Sequence, residues 1–211
     1  DQFTYTLTAY DAAQAPNTTV SGPHAFTIVD ALGVVLVIDD GDAARGATPD
    51  VKFDREKNPV QRWTGAGSAP TIAQWLRDAG YVVDAVPAVS VEPGSFDGYQ
   101  AVVYAAGANT APLGVQTMRD AVIAYVEAGG KILVEGGEVG YDAVSSPGYP
   151  GFASSVLHSG DWQSDNAGAL GPVAGQADHP LLKQPHVLPT SIPVDYTGYG
   201  DQDAMSPAAD A

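Results

Sequence analysis

The 211-residue chain contains no cysteine. That absence excludes disulfides, thiolate metal sites and a cysteine nucleophile together, and it leaves the redox compartment open. Basic residues are scarce. Nine Lys and Arg stand against 25 Asp and Glu, a formal net charge of −16, and 20 of the acids are Asp against 5 Glu. Such a surface repels phosphate backbones and argues against nucleic acid as a partner. No apolar run approaches the roughly 18 residues of a membrane span. The opening DQFTYTLTAY is neither basic nor continuously apolar, so an export signal, if the protein uses one, lies outside these residues.

What is present is enough for a core, since 45% of the residues are apolar. In FTYTLTAY, Phe3, Tyr5, Leu7 and Ala9 alternate with Thr4, Thr6 and Thr8, the period of a half-buried strand. DAAQAPNTTVSGP then reads as turn chemistry and HAFTIV as a second strand. Two strands do not bury a face by themselves, so residues 1–30 are expected to be the last strands of a sandwich module. Residues 31–211 are expected to form a second, α/β domain.

From Gly33 the pattern changes. GVVLVIDDGD is a continuous apolar run ending in carboxylates, the mark of a central parallel strand opening on a site. A long loop follows, holding Arg45, Lys52, Arg55, Lys57 and Arg62. SAPTIAQWLRDAG reads as a helix with Ser68 as N-cap, Pro70 in the first turn, Ile72, Trp75, Leu76 and Ala79 as its apolar face, and Gly80 as its stop. YVVDAVP, YQAVVYAAG and KILVEGG read as strands. Between the last two, Val115, Met118, Val122 and Tyr125 keep helical register up to Gly129. This alternation predicts a doubly wound, flavodoxin-like parallel sheet with strands near 34–38, 81–86, 100–105 and 131–135. The first and fourth of these strands are expected to be neighbours. Beyond Tyr141 the chain is rich in Gly, Pro, Ser and Asp, and DYTGYGDQDAMSPAADA carries no strong helix or strand signal. The α/β domain is therefore expected to be cut short at its C-terminal end.

The stretch KILVEGGEVGYDA runs a strand into a glycine pair between two glutamates. Such a bend at the mouth of an α/β sheet is where a nucleophile or ligand is usually held, yet no Ser or Cys stands there. The candidate crevice is Asp39, Asp40 and Asp42 after the first strand, with Glu135, Gly136, Gly137, Glu138 and Asp142 after the fourth. Three readings are open. The carboxylates cap helices and satisfy loop amides; or Asp39, Asp40, Asp42 and Glu138 hold Ca²⁺; or a pair works as acid and base. The spacing is not an EF-hand loop. His24, His158, His179 and His186 are scattered, and neither Ser154 nor Ser155 beside His158 lies on a Gly-x-Ser-x-Gly turn. Trp63, Trp75 and Trp162 read as core or loop anchors, with Trp162 beside Asp161 also suited to stacking on a sugar.

The ordered series VLVIDDGD, IAQWLRDAGYVVD, YQAVVYAAG, AVIAYVEAGGKILVEGGEVGYDA and SDNAGALGPVAGQADHPL resembles the class I glutamine amidotransferase-like domains of large secreted bacterial proteins, many of them peptidases. In those an Ig-like or fibronectin-like module with a strand like YTLTAYDAA often comes just before. The accessory version of the family typically ends its fourth strand in a Gly-Gln-Asp-Ile-Gly-Tyr-Asp turn. Gly136, Val139, Gly140, Tyr141 and Asp142 fit it, with Gly137 and Glu138 at the altered positions. Catalytic members place a Cys at this bend, where Glu135, Gly136 and Gly137 stand here. The resemblance therefore implies a domain without catalysis in this segment and without a resident cofactor, exported to the outside or surface of a bacterial cell. Its partners would be neighbouring domains of the same polypeptide, a protein or a glycan.

Overall fold

A computed structural model describes residues 2–10, 18–27, 30–41, 67–165, 169–172, 174–184, 186–192 and 203–209. They divide into two units, Asp1–Leu32 and Gly33–Ala211. In the first, β1 (Gln2–Tyr10) pairs antiparallel with β2 (Thr18–Thr27). The second strand starts earlier than its turn-like residues suggest. Thr18, Thr19 and Val20 favour extended backbone, and a register shift opposite Tyr5 to Leu7 absorbs the mismatch as a bulge. Leu7 and Val20 are 59% and 60% exposed.

The second unit is built on β3 (Val34–Asp39), β4 (Val82–Pro87), β5 (Ala101–Ala105) and β6 (Ile132–Glu135). All four are parallel in the order β4-β3-β5-β6. The prediction of one parallel sheet holds, because each connection contains a helix or a long loop rather than a tight turn. The expected adjacency of the first and fourth strands does not: β5 lies between β3 and β6. The crossover after β4 passes over β3 to place β5 on its far side, and the next one steps outward by one position, so β6 ends at the sheet edge.

Both faces of β3 and β5 are buried, as their unbroken apolar runs require. On one face α1 (Ser68–Asp78) covers Val35, Val37, Val83 and Val103. On the other, α2 (Gln116–Glu127), α3 (Val139–Val144) and α4 (Pro150–Ser155) pack on Leu36, Ile38, Val102 and Tyr104. The stripe of α1 differs from the expected one. Ala69 and Ala73 are buried and Ile72 and Leu76 half-buried, whereas Trp75 is 67% exposed. At about 100° per residue Trp75 falls roughly a third of a turn from the centre of that stripe. Ser68 is not the N-cap either. Gly67 is, and Ser68 is the first helical residue, its side chain turned elsewhere.

The segment expected to lack a signal contains β8 (Asp203–Pro207), paired antiparallel with β7 (Ser159–Asp165). Between them lies the short α5 (Pro180–Lys183). Five residues of mixed polarity give β8 no period of its own, and its partner strand supplies the pairing. Among the described residues no helix is long and apolar enough to cross a membrane.

Candidate functional site

From β3 the chain goes to β4 on one side, then returns to β5 on the other, so the sheet's switch point lies between the carboxyl ends of β3 and β5. Asp39, Asp40 and Gly41 leave β3 there, Ala106 and Gly107 leave β5, and Glu135 to Glu138 leave β6.

Asp40 is fully buried. Its Oδ2 accepts from the Tyr104 hydroxyl and from Leu113 N at 3.1 Å. Its backbone N donates to Ala105 O at 3.0 Å, and its carbonyl accepts from Asn109 Nδ2. Leu113 N also donates to Tyr104 Oη at 3.0 Å. These bonds hold the β5–α2 loop against the end of β3, with Leu113 at φ 59°. Arg119 then fixes the far side of the loop, donating to Leu113 O and stacking over the Tyr149 ring at 3.9 Å. Asp39 turns back on its own loop, Oδ1 accepting from Gly41 N at 3.0 Å. A Cβ on Gly41 would stand 3.1 Å from Asp39 Oδ1 and 3.5 Å from Gly67 Cα, so the loop after β3 runs alongside the start of α1. Asp42 lies outside the described residues.

Glu135 reaches across the end of β5. Its Oε2 accepts from Ser68 Oγ at the start of α1 and from Gly107 N at 3.2 Å. Gly107 has φ +56°, and a Cβ there would meet Ser68 Oγ at 3.1 Å, so the bridge needs a residue without a side chain. Asp39 and Glu135 are thus drawn to the same rim, but each holds a protein donor.

The turn after β6 is closed as well. Gly136 sits at φ +153°, and a Cβ there would lie 2.7 Å from Ala106 Cβ and 2.8 Å from Val139 Cγ2. Gly137 N donates to Gly107 O at 3.1 Å. Glu138 precedes α3 and its carbonyl accepts from Asp142 N at 3.0 Å; Asp142 is buried, and both residues make further interactions. Asp203 of β8 accepts from Tyr141 N at 2.7 Å and from Trp162 Nε1 at 2.9 Å. The Tyr141 and Trp162 rings meet edge to face at 5.5 Å. Gly140 admits β8, because a Cβ there would be 2.6 Å from Met205 Sδ.

Asp40 follows β3 and Glu138 follows β6, with β5 between those strands, and Asp42, a further member of the expected Ca²⁺ set, lies outside the described residues. Among the described residues no three Asp, Glu or His side chains converge as a metal-binding group. Neither serine beside His158 donates to it: Ser154 Oγ donates to Pro150 O and Ser155 Oγ to Glu127 Oε1, both at 2.9 Å. Away from the rim, Tyr99 donates to Asp84 Oδ2 at 2.7 Å, and that bond, aided by burial and by the Asp84 charge, raises the phenol's pKa. Sequence reasoning missed Tyr104, Asn109, Gly107 and Asp203 as parts of the site. Tyr104 reads as one more apolar strand residue, and nothing local to Asp203 marks its contact with a turn 62 positions earlier. Compared with models of protein families, with curated proteins and with solved structures, the chain matches none.

Proposed function

We propose that the second unit is a non-catalytic, flavodoxin-like domain of the amidotransferase-like kind, carried in a larger exported bacterial protein. It spaces or docks neighbouring modules, or a protein or glycan partner. The strand order β4-β3-β5-β6 supports the fold part of this reading, since flavodoxin-like sheets run 2-1-3-4 over their first four strands.

One observation carries the functional part. At the turn after β6, where an attacking side chain would stand, Gly136 has no room for a Cβ, and Tyr141 N in the first turn of α3 donates to Asp203. Acyl transfer needs a nucleophile with a base to activate it and donors left for the oxyanion. The rival reading, a hydrolase using Glu135 or Glu138 with Asp39 or Asp40, needs two carboxylates facing an open cleft, roughly 5 to 10 Å apart. Asp40 is inaccessible, and Glu135 is held by Ser68 and Gly107.

The test has two arms. Incubated with glutamine, the purified chain is expected to release no ammonia above a blank, and turnover would overturn the reading. The reading frame flanking residues 1 and 211 is expected to encode further modules and an export signal. A frame encoding this unit alone would overturn the scaffold role.

A further inference from the structure

The two edges of the parallel sheet treat their unpaired backbone differently. In a parallel ladder alternate residues turn their N–H and C=O outward, so an edge strand offers a row of donors and acceptors to any further strand. On β4, Val82 N donates inward to Gly33 O at 2.9 Å, which turns Val83, Ala85 and Pro87 outward. Pro87 has no N–H to offer, and Asp84 sets a charge on the face it shares with Leu36. Both features discourage further pairing.

β6 carries neither. Lys131 O and Glu135 O accept from Val102 N and Ala106 N at 2.9 and 2.8 Å, so the intervening alternation turns the N–H and C=O of Ile132 and Val134 away from β5. No other described strand pairs with that edge, and its register with β5 runs without a bulge. Lys131, Leu133 and Glu135 share the α1 side of the sheet. The apolar cluster there includes Val103 but not its neighbour Leu133, which is 60% exposed. Lys131 is exposed too, and its ammonium has no ion pair among the described residues. Glu135 is half-buried, with Oε2 engaged by Ser68 and Gly107 and Oε1 without a partner among the described residues.

We propose that two copies of the chain join through β6, antiparallel about a two-fold axis at Leu133. The run Lys-Ile-Leu-Val-Glu is self-complementary in that register. Ile132 faces the partner's Val134 as a hydrogen-bonded pair, each such pair exchanging both of its N–H···O bonds. At the closer, non-bonded positions Leu133 meets the partner's Leu133 and Lys131 meets the partner's Glu135. An in-register parallel copy would instead set Lys131 beside the partner's Lys131, like charge against like. The pairing requires neither catalysis nor any flanking module. A contact this small belongs with the weak associations that bury under about 1,200 Å² in total.

The experiment is sedimentation velocity on the whole chain over a range of concentrations, in enough NaCl to screen the net charge of −16. The expected result is a monomer–dimer equilibrium. Leu133→Lys should weaken it at least tenfold by setting like charges at the axis, and Lys131→Glu should weaken it by facing the partner's Glu135, neither one lowering the melting temperature of the dilute chain. Because the chain has no cysteine, Leu133→Cys supplies a single thiol. Cβ atoms at a directly opposed antiparallel pair lie about 4.5 to 5.5 Å apart, a small adjustment from disulfide geometry. Mild oxidation is therefore expected to cross-link Leu133→Cys at least tenfold faster than Val89→Cys, a control at a position 56% exposed. A chain that stays monomeric at every concentration would leave the edge to a strand of another polypeptide and overturn the proposal. A dimer untouched by both charge substitutions, or equal cross-linking of the two cysteine variants, would overturn it as well.

Discussion

At the scale of single residues, Asp40 shows how a carboxylate at a strand end is used for cohesion. It is fully buried, and Tyr104 and Leu113 donate to it. Asp40→Ala would leave these donors without their acceptor, and the loss is expected to be about 3 kcal/mol of unfolding free energy, read by urea denaturation. An unchanged midpoint would mean that Asp40 waits for a ligand instead. The sequence marked Asp40 as part of a group but not its role, since Asp39 and Asp42 are the same residue type beside it. Burial separates it from Asp39, and burial depends on which loop covers the strand end. Gly136 was more legible, because a glycine at the end of a parallel strand signals a backbone that a side chain would obstruct.

At the scale of elements, periodicity placed α2 well. Met118 and Val122 are buried and Val115 and Tyr125 pack beside them, as their spacing requires. For α1 the same reasoning chose too wide a face, because bulk was taken as a sign of burial and the small Ala69 and Ala73 were overlooked. A helix that approaches a sheet closely needs small residues at the contact, leaving the indole outside. Trp75→Ala is therefore expected to change stability by no more than about 0.5 kcal/mol. Phe152→Ala, on the buried α4, should cost about 3 to 5 kcal/mol. Comparable losses for the two, measured by the same denaturant titration, would refute this assignment of faces. β8 was illegible for another reason: a five-residue strand pairing with β7 some 40 positions away has no local pattern to show.

At the scale of the whole molecule, the net charge of −16 sets a general response to salt. Screening relieves self-repulsion regardless of the ion. Millimolar Ca²⁺ is accordingly expected to raise the melting temperature no more than NaCl of equal ionic strength. A specific site filled at a hundred times its Kd would add about 2.7 kcal/mol, on the order of 5 to 10 °C for a chain of this size. A Ca²⁺-specific rise of that order, lost in Asp39→Asn with Glu138→Gln, would establish a cation site at these carboxylates. The sequence by itself determined the elements of the parallel sheet, the missing thiol and the acidic surface, because strand runs, helical periods and composition are local or summed properties of the chain. The tertiary structure alone decided that β5 separates β3 from β6, that Glu135 bridges to Ser68, and that Asp203 meets the start of α3. Those facts depend on which distant segments come into contact, and a contact between distant segments is selected by the packing of the whole unit, which no local pattern encodes.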